Sequence, residues 1–586
     1  MNKVTILLLI LICSVTILNA EIRAIWVTPW DLDTPAKCDK IIEKMIAGHQ
    51  NEILAEVRYR SDALYVPNKT NCTYPNPDPR CYILKNSDFD ALEYLIEKAS
   101  PLGISVQAWL VIMAASTIHT SLQPANHLYY QHPEWFTWGP NGRMKEAEGS
   151  MGIFIDPGIP QVQEYLVNVV RDIAINYPEL DGIHLDYIRY PARQYGKNPT
   201  SLELYHNETD VDTPQAWQNW RRYQISHIVQ RMYAEVKTIS PKMQLTAAVI
   251  ANYPEAYNDY AQDWKEWLDG GFIDRVYLMA YTVNDQTLDK ILAKADSFNH
   301  KGQVVVGLRA WTESGTYPIS KILSKLFLAR DYGFAGDALF SYEGMNHNGY
   351  WGDLTSGFFK EDTSIPPLPK STQHMIYGYV TDADSIPYAG ATLRIAETGV
   401  ETRSDINGFY AFTNMPEGTF HLDVESDITS LHLDNLAVTA SKSVIKRNIP
   451  LIPPAVAVVV TKPPVLDTTS VAIAATPQDI TKEEKVEKQV QANQDFTMYT
   501  ITDTTGIIIV IRNPREQAIS WYVEDTNGKV VFSKENKYNP GEIVENWGGN
   551  TAEGTELPTG IYKIVAVSGT DKEQIYRSVF LNRRTN

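Results

Sequence analysis

The segment DGIHLDYIRYPAR, residues 181–193, gathers a histidine, two aspartates, two tyrosines and two arginines into thirteen positions. Asp181-Gly182 makes a turn into a short apolar run. His184 and Asp186 then stand two apart, so an extended backbone projects both to one side. A carboxylate at the end of such a strand is placed to act as acid, base or nucleophile, and this makes Asp186 the leading catalytic candidate. His184 reads either as the group that orients Asp186 or as core packing. Arg189 and Tyr190 follow in the loop, where they suit a sugar-binding rim; the bland reading of the group is an Asp186–Arg189 structural pair. Hydrolysis of a glycosidic bond normally uses two carboxyl groups. Four residues compete for the second place: Glu343 in SYEG, Asp156 in FIDPGIP, Glu56 in AEVRYRSD and Asp263 in DWKEWLDGG. Turn and cap roles account for Asp156, which precedes Pro157, and a surface-helix role accounts for Asp263. Glu343 falls just past a strand end and is expected to be the partner.

Further polar and aromatic residues fall at similar places. Arg58, Arg60 and Asp62 lie together in VRYRSD, where two guanidiniums suit hydroxyl or carboxylate recognition and a loop-bracing network is the alternative. Trp30, Trp109 and Trp311 offer flat faces for sugar rings, whereas Trp26 also reads as core; Arg309 and the hydroxyl of Tyr281 complete the expected binding set.

What must hold these residues is a repeated unit. From Glu21 to about Pro366 a short β-branched run, a polar loop and an amphipathic stretch recur. The runs begin at Ile22, Glu52, Ile104, Gly182, Gln244, Arg275, Gln303 and Asp337. Eight such units predict a closed (β/α)₈ barrel, whose site lies at the C-terminal ends of its strands. An open doubly wound sheet would carry a Gly-rich phosphate loop after its first strand, and TPWDLDTP is not one. Two insertions, 65–87 and 111–158, fall on the same βα side, the second rich in aromatics. From about His374 the pattern alternates with period two and is broken by NG and EG turns, which predicts a β-sandwich. The expected organisation is a signal peptide over 1–20, the barrel over 21–370, a sandwich over 371–452, a Pro/Thr/Lys-rich linker over 453–490 and a second sandwich over 491–586 with Trp547 as a core anchor. The barrel is expected to work without either sandwich.

Bulk properties narrow the partners. The apolar run from Val4 to Leu18 behind Lys3, ending at Ala20, is a secretory leader. A secreted, periplasmic or cell-surface location follows. No later run reaches the roughly 20 apolar residues of a membrane helix. The formal charge is −18, or −19 once Lys3 leaves with the leader, which argues against nucleic acid and anionic membranes. Neither CxxC nor HExxH occurs, so no metal is expected, and no cofactor. Cys72 and Cys81 flank NPDPR-containing sequence and are expected to form a disulfide, with Cys38 a buried thiol.

Taken together, IRAIWVTPWDLD, VRYRSDALY, MGIFIDPGIPQVQEYL, DGIHLDYIRYP, QDWKEWLDGGFIDRVYLMAY and DALFSYEG resemble the glycosyl hydrolase-like 10 barrels of exported bacterial proteins, in order and across the whole barrel. The resemblance implies a (β/α)₈ fold and hydrolysis of a bacterial polysaccharide, some members being similar to enzymes that cut peptidoglycan glycan strands stripped of peptides. Glu56 and Tyr59 depart from it, standing where Gln and a small residue or proline are expected. IYGYVTDADSIPYAGATLRI and TRSDINGFYAFTNMPEGTFHL resemble the carboxypeptidase-regulatory-like fold. ENWGGNTAEGTELPTGIYKI resembles the Ig-like repeats of flagellar-hook-capping type. The function expected is therefore a secreted glycoside hydrolase; the alternative is a glycan-binding surface module without catalysis.

Overall fold

The computed structural model describes residues 20–452 and 497–581, apart from 117–121, 145–151, 210, 312–316, 370–373, 440–443, 503–506, 514–516, 526–528, 539–540, 558–559 and 569–573. The leader up to residue 19 and the expected linker lie outside the described residues.

Eight parallel strands close a barrel: β1 Ile22–Val27, β2 Glu52–Arg58, β3 Ser105–Val111, β4 Gly182–Asp186, β5 Gln244–Ile250, β6 Arg275–Met279, β7 Val304–Arg309 and β8 Gly336–Phe340. Each matches an expected run to within a residue or so. Alternation sorts their side chains: Ile25, Ile53, Ala55, Val57 and Ile183 face outward into the core beneath the helices. Ala24, Trp26, Leu54, Trp109, Ala248, Tyr277, Val305 and Ala338 fill the interior. A Cβ on Gly307 would sit 2.5 Å from the Leu278 carbonyl oxygen and 2.8 Å from the Trp26 ring, so the neighbouring strand and that ring leave room only for glycine there.

The helices used below are α1 Pro35–Ala47, α2 Ala91–Ala99, α3 Pro160–Asn176, α4 Pro214–Ile239, α5 Trp264–Asp269, α6 Asp285–Asp296, α7 Ile319–Tyr332 and α8 Tyr342–Asn348, one after each strand in turn. Asp90 caps α2 and Thr213 caps α4 with side-chain oxygens, as short polar residues at N-caps do. No helix among the described residues is long and apolar enough to cross a membrane.

The first all-β region forms two sheets. One holds His374–Thr381, Phe409–Met415, Val444–Lys446 and Ile449–Pro450; the other holds Glu401–Arg403, Thr392–Ile395, Gly418–Glu425 and Ser430–Val438. Ile376, Val380, Leu393, Phe412 and Leu422 pack between them. Met375, Tyr377 and Phe409 instead join the barrel's own buried cluster. At this contact Glu235 of α4, 0% exposed, accepts from Arg171 of α3 at 2.9 Å, Tyr379 at 3.0 Å and Lys446 at 3.0 Å, and His227 meets Asp405 at 2.7 Å. A buried carboxylate needs that many donors. The contact runs against the expectation of a freely removable first sandwich. The described residues of 497–581 belong to a separate compact unit, whose two sheets enclose Trp521 and Trp547.

Cys38 is a buried thiol, pushed up to about 12 by burial. The expected disulfide is not formed: Cys72 is exposed, its Sγ 3.6 Å from the Asn68 carbonyl, while Cys81 is buried against Asp62. The insertion is held by Arg80 and Asn76 hydrogen bonds to Tyr65 instead.

Candidate functional site

The upper ends of the strands converge on two carboxyl groups. Asp186, the last residue of β4, is 5% exposed. Its Oδ2 accepts from Trp109 Nε1 at 3.1 Å and its Oδ1 from the Tyr187 amide at 2.6 Å. Burial pushes its pKa up; Arg189, the Tyr187 amide, Arg60 and Trp109 oppose the rise. Glu56, on β2, is equally buried. Burial pushes it up to about 8, with Arg60 opposing and the charges of Asp186 and Asp62 adding. Both carboxyls point inward by strand alternation, and the register ties them together: Glu56 pairs with Trp109, whose neighbour on β4 is His184, one inward position below Asp186. Burial raises both acids, but the opposition differs: two hydrogen bonds and the charges of Arg189 and Arg60 favour the ionised form of Asp186, whereas Glu56 has mainly Arg60.

Several expected rim residues surround them. Arg60 stacks over Tyr59 and Tyr187 at 5.1 and 4.9 Å. Arg189 lies over Tyr187 and Tyr260 at 4.7 and 4.9 Å. Tyr281 feels the charge of Asp186, and its ring packs on Trp311 at 5.1 Å and Phe340 at 5.4 Å. Burial keeps its hydroxyl protonated, hence a donor. Arg309 donates to the Trp311 carbonyl at 2.9 Å and covers that ring at 4.6 Å. Trp30, 51% exposed with its edge against Tyr59, is the open aromatic face of the group.

Other expectations are corrected. A β-bulge between Glu56 and Arg58 breaks the alternation, so Arg58 turns outward and is fully buried. Its guanidinium is spent on Asp78, the Val111 carbonyl, Ser61 and Tyr165, leaving nothing for a ligand. His184 is also fully buried. Trp26 donates to its Nε2 at 3.1 Å, which leaves the proton on Nδ1 facing Thr246 at 2.8 Å, and burial lowers its pKa to about 3. From there the bonds continue inward through Gln107 and Tyr277 to Glu52, so His184 belongs to a polar chain that fills the barrel. Trp109 is 4% exposed and orients Asp186 through its indole N–H; it is not an open stacking face. Tyr190 is buried under Arg221, whose guanidinium lies 4.2 Å from its ring. Asp62 is buried against Cys81 and acts on the site through its charge, felt by Glu56, Arg60 and Tyr59. Glu343 is exposed in the first turn of α8, where its charge acts on Asp31, whereas Glu56 is buried and feels the charge of Asp186. The carboxyl brought to Asp186 is Glu56. Asp156 is a turn residue that accepts from Thr137, Gly158 and Ser201, and Asp263 caps α5. Among the described residues no cluster of His, Cys, Asp and Glu is arranged to hold a metal.

A parallel eight-stranded barrel with paired acids at the C-terminal ends of its strands is the arrangement on which many glycoside hydrolases are built. Residues 21–310, from β1 through β7 of the barrel, match the family described as "Glycosyl hydrolase-like 10". The chain is 24% identical over 225 residues to "Glycosyl hydrolase DigH" of Escherichia coli K12, covering 34% of this chain and 47% of that protein. It is 20% identical over 297 residues to "Glycosyl hydrolase YngK" of Bacillus subtilis 168, covering 45% of this chain and 54% of the other. It thus spans about half the length of the curated relatives it matches. The glycoside hydrolase domain of PgaB (BpsB) from Bordetella bronchiseptica superposes with a TM-score of 0.47 at 14% identity, over 59% of this chain and 100% of that one.

Proposed function

We propose that this protein is an exported glycoside hydrolase that cleaves a bacterial polysaccharide, with peptide-free peptidoglycan strands as the first substrate to test. The observation that carries the reading is the pairing of Glu56, pushed up to about 8 by burial, with an Asp186 held by an indole N–H and a backbone amide in the field of two guanidiniums. Glu56 then donates a proton to the glycosidic oxygen. Asp186 acts from the other side, as base toward water or as nucleophile toward the sugar carbon. Tyr281 donates to a hydroxyl near the cleaved bond, and Trp30 stacks on a neighbouring ring. The relatives' names and the glycosyl hydrolase-like match support the same chemistry.

Reducing-end release from purified glycan strands tests it. Asp186→Asn keeps the shape and removes the charge, so it should lower kcat by about 10²-fold or more with Tm nearly unchanged. A variant that is destabilised yet fully active per folded molecule would assign Asp186 to structure. Strands bound but not cut by the unmodified protein would favour a binding module.

A further inference from the structure

Away from the barrel mouth, α4, α5 and the first sandwich enclose an open cavity of about 370 Å³, lined among others by Tyr223, Gln230, Glu266, Asp269 and Asn414. We infer that this cavity is a second carbohydrate site, which holds an uncharged or amino-sugar stretch of a glycan. The inference takes its ligand class from the glycan reading above but rests on separate residues.

Tyr223 is 52% exposed on a helix whose side chains are otherwise largely buried. One face of its ring is backed by His227, at 5.2 Å and 23°. His227 in turn is fixed by Asp405 of the sandwich at 2.7 Å. A supported aromatic beside planar amides and carboxylates is what a sugar ring requires: its C–H face meets the aromatic, and its hydroxyls both donate and accept. Glu266 is aimed by a relay in which Trp267 Nε1 donates to Ser226 Oγ at 3.0 Å and Ser226 donates to Glu266 at 2.6 Å. A carboxylate accepts about four hydrogen bonds, so Ser226 leaves it capacity for ligand hydroxyls. Asp263, Glu266 and Asp269 face the cavity against Lys265, and this excess of negative charge disfavours uronate or phosphate groups. The two walls are pinned by the Glu235 cluster with Arg171, Tyr379 and Lys446, so the cavity is preformed. Its size falls within the roughly 300–1,000 Å³ of small-ligand sites. A polymer held both here and at the mouth would be retained by effective concentration.

The test uses the full chain with Asp186→Asn, so that bound glycan is not consumed. Titration with chitohexaose and co-sedimentation with peptide-free glycan strands are compared before and after adding Tyr223→Ala. Loss of about tenfold in affinity, with recovery in Tyr223→Trp, is the expected result. With Asp186 intact, Tyr223→Ala should leave turnover of a short soluble oligosaccharide unchanged and slow that of long strands. No binding by the parent to either probe, or equal binding with and without the Tyr223 ring, overturns the inference; so does Tyr223-dependent binding that prefers polygalacturonate. Tyr223-dependent binding in a protein that never cleaves glycan would sink the hydrolase reading and leave this one standing.

Discussion

Replacing Glu56 by Gln separates the energetic and the catalytic consequences of one buried carboxyl. Its pKa stands at about 8 in the fold against 4.5 for an unburied glutamate, and the side chain is only 5% exposed. Below about pH 4.5 both folded and unfolded chains hold the proton. Between 4.5 and 8 the folded chain keeps a proton that the unfolded chain has released, so stability falls as pH rises, and the whole cost is present above 8. At 1.36 kcal/mol per pH unit the ceiling is about 5 kcal/mol, of which relaxation and water entry should leave roughly 2 kcal/mol. Gln carries no charge and pays none of this. Glu56→Gln should therefore match the unmodified protein at pH 4.5 and exceed it at pH 9 by about 2–5 °C in Tm. Its turnover should drop by about 10²-fold or more, and kcat/KM of the unmodified protein should fall near pH 8 as the same proton is lost. Melting curves and reducing-end assays at pH 4.5, 7 and 9 on the same preparations measure both. A stability gain independent of pH, or a Gln variant that keeps its activity and its alkaline limb, would refute the reasoning.

Three further outcomes follow from the packing. Arg58→Met leaves Asp78 buried without its cation and should cost about 3–5 kcal/mol, seen as a lowered denaturation midpoint rather than a raised KM. A chain ending at residue 452 should fold and keep its activity. One ending at Pro369 should be insoluble or strongly destabilised, because Glu235 loses Tyr379 and Lys446 while the helices lose Tyr377 and Phe409; normal solubility and Tm of that shorter chain would show the contact to be dispensable. Under native conditions without reductant, Cys72 should alkylate rapidly and Cys81 only on unfolding, and a mass spectrum with the two linked would contradict this arrangement.

The barrel was legible because each strand carries its own signal: an apolar β-branched run needs no distant partner to declare itself. Asp186 was legible for a related reason, since period two in GIHLD and the strand end are local facts. His184 shares that parity, yet its role is decided by Trp26 and Thr246, 158 and 62 residues away in sequence. Unbroken alternation from Glu56 would turn Arg58 into the cleft, but the bulge after Glu56 ends that alternation. For the second carboxyl, position past a strand end favoured Glu343, but depth decides, and Glu56 is deep where Glu343 meets solvent. Local pattern gives direction; the partners of a buried polar group come from other strands.

The backbone beside the two acids bears on how the site is held. Arg60, Ser61 and Tyr187 all have positive φ, at 57°, 63° and 52°, next to Glu56 and Asp186. For residues with a Cβ this region costs about 1–2 kcal/mol each, so the surroundings must impose it. They do so with long-range contacts. His127, from the long insertion after β3, reaches the Arg60 carbonyl at 2.7 Å. Arg58 spans Ser61 and the Val111 carbonyl from behind, and the Arg60 guanidinium rests on the Tyr187 ring at 4.9 Å, tying the two strained segments to each other. The insertion after β3 and Arg58 of β2 therefore support the turn that keeps Arg60 in the field of both carboxyls. His127 should affect turnover through Arg60 without touching the reacting atoms, whereas Tyr187 acts both through Arg60 and through its amide on Asp186.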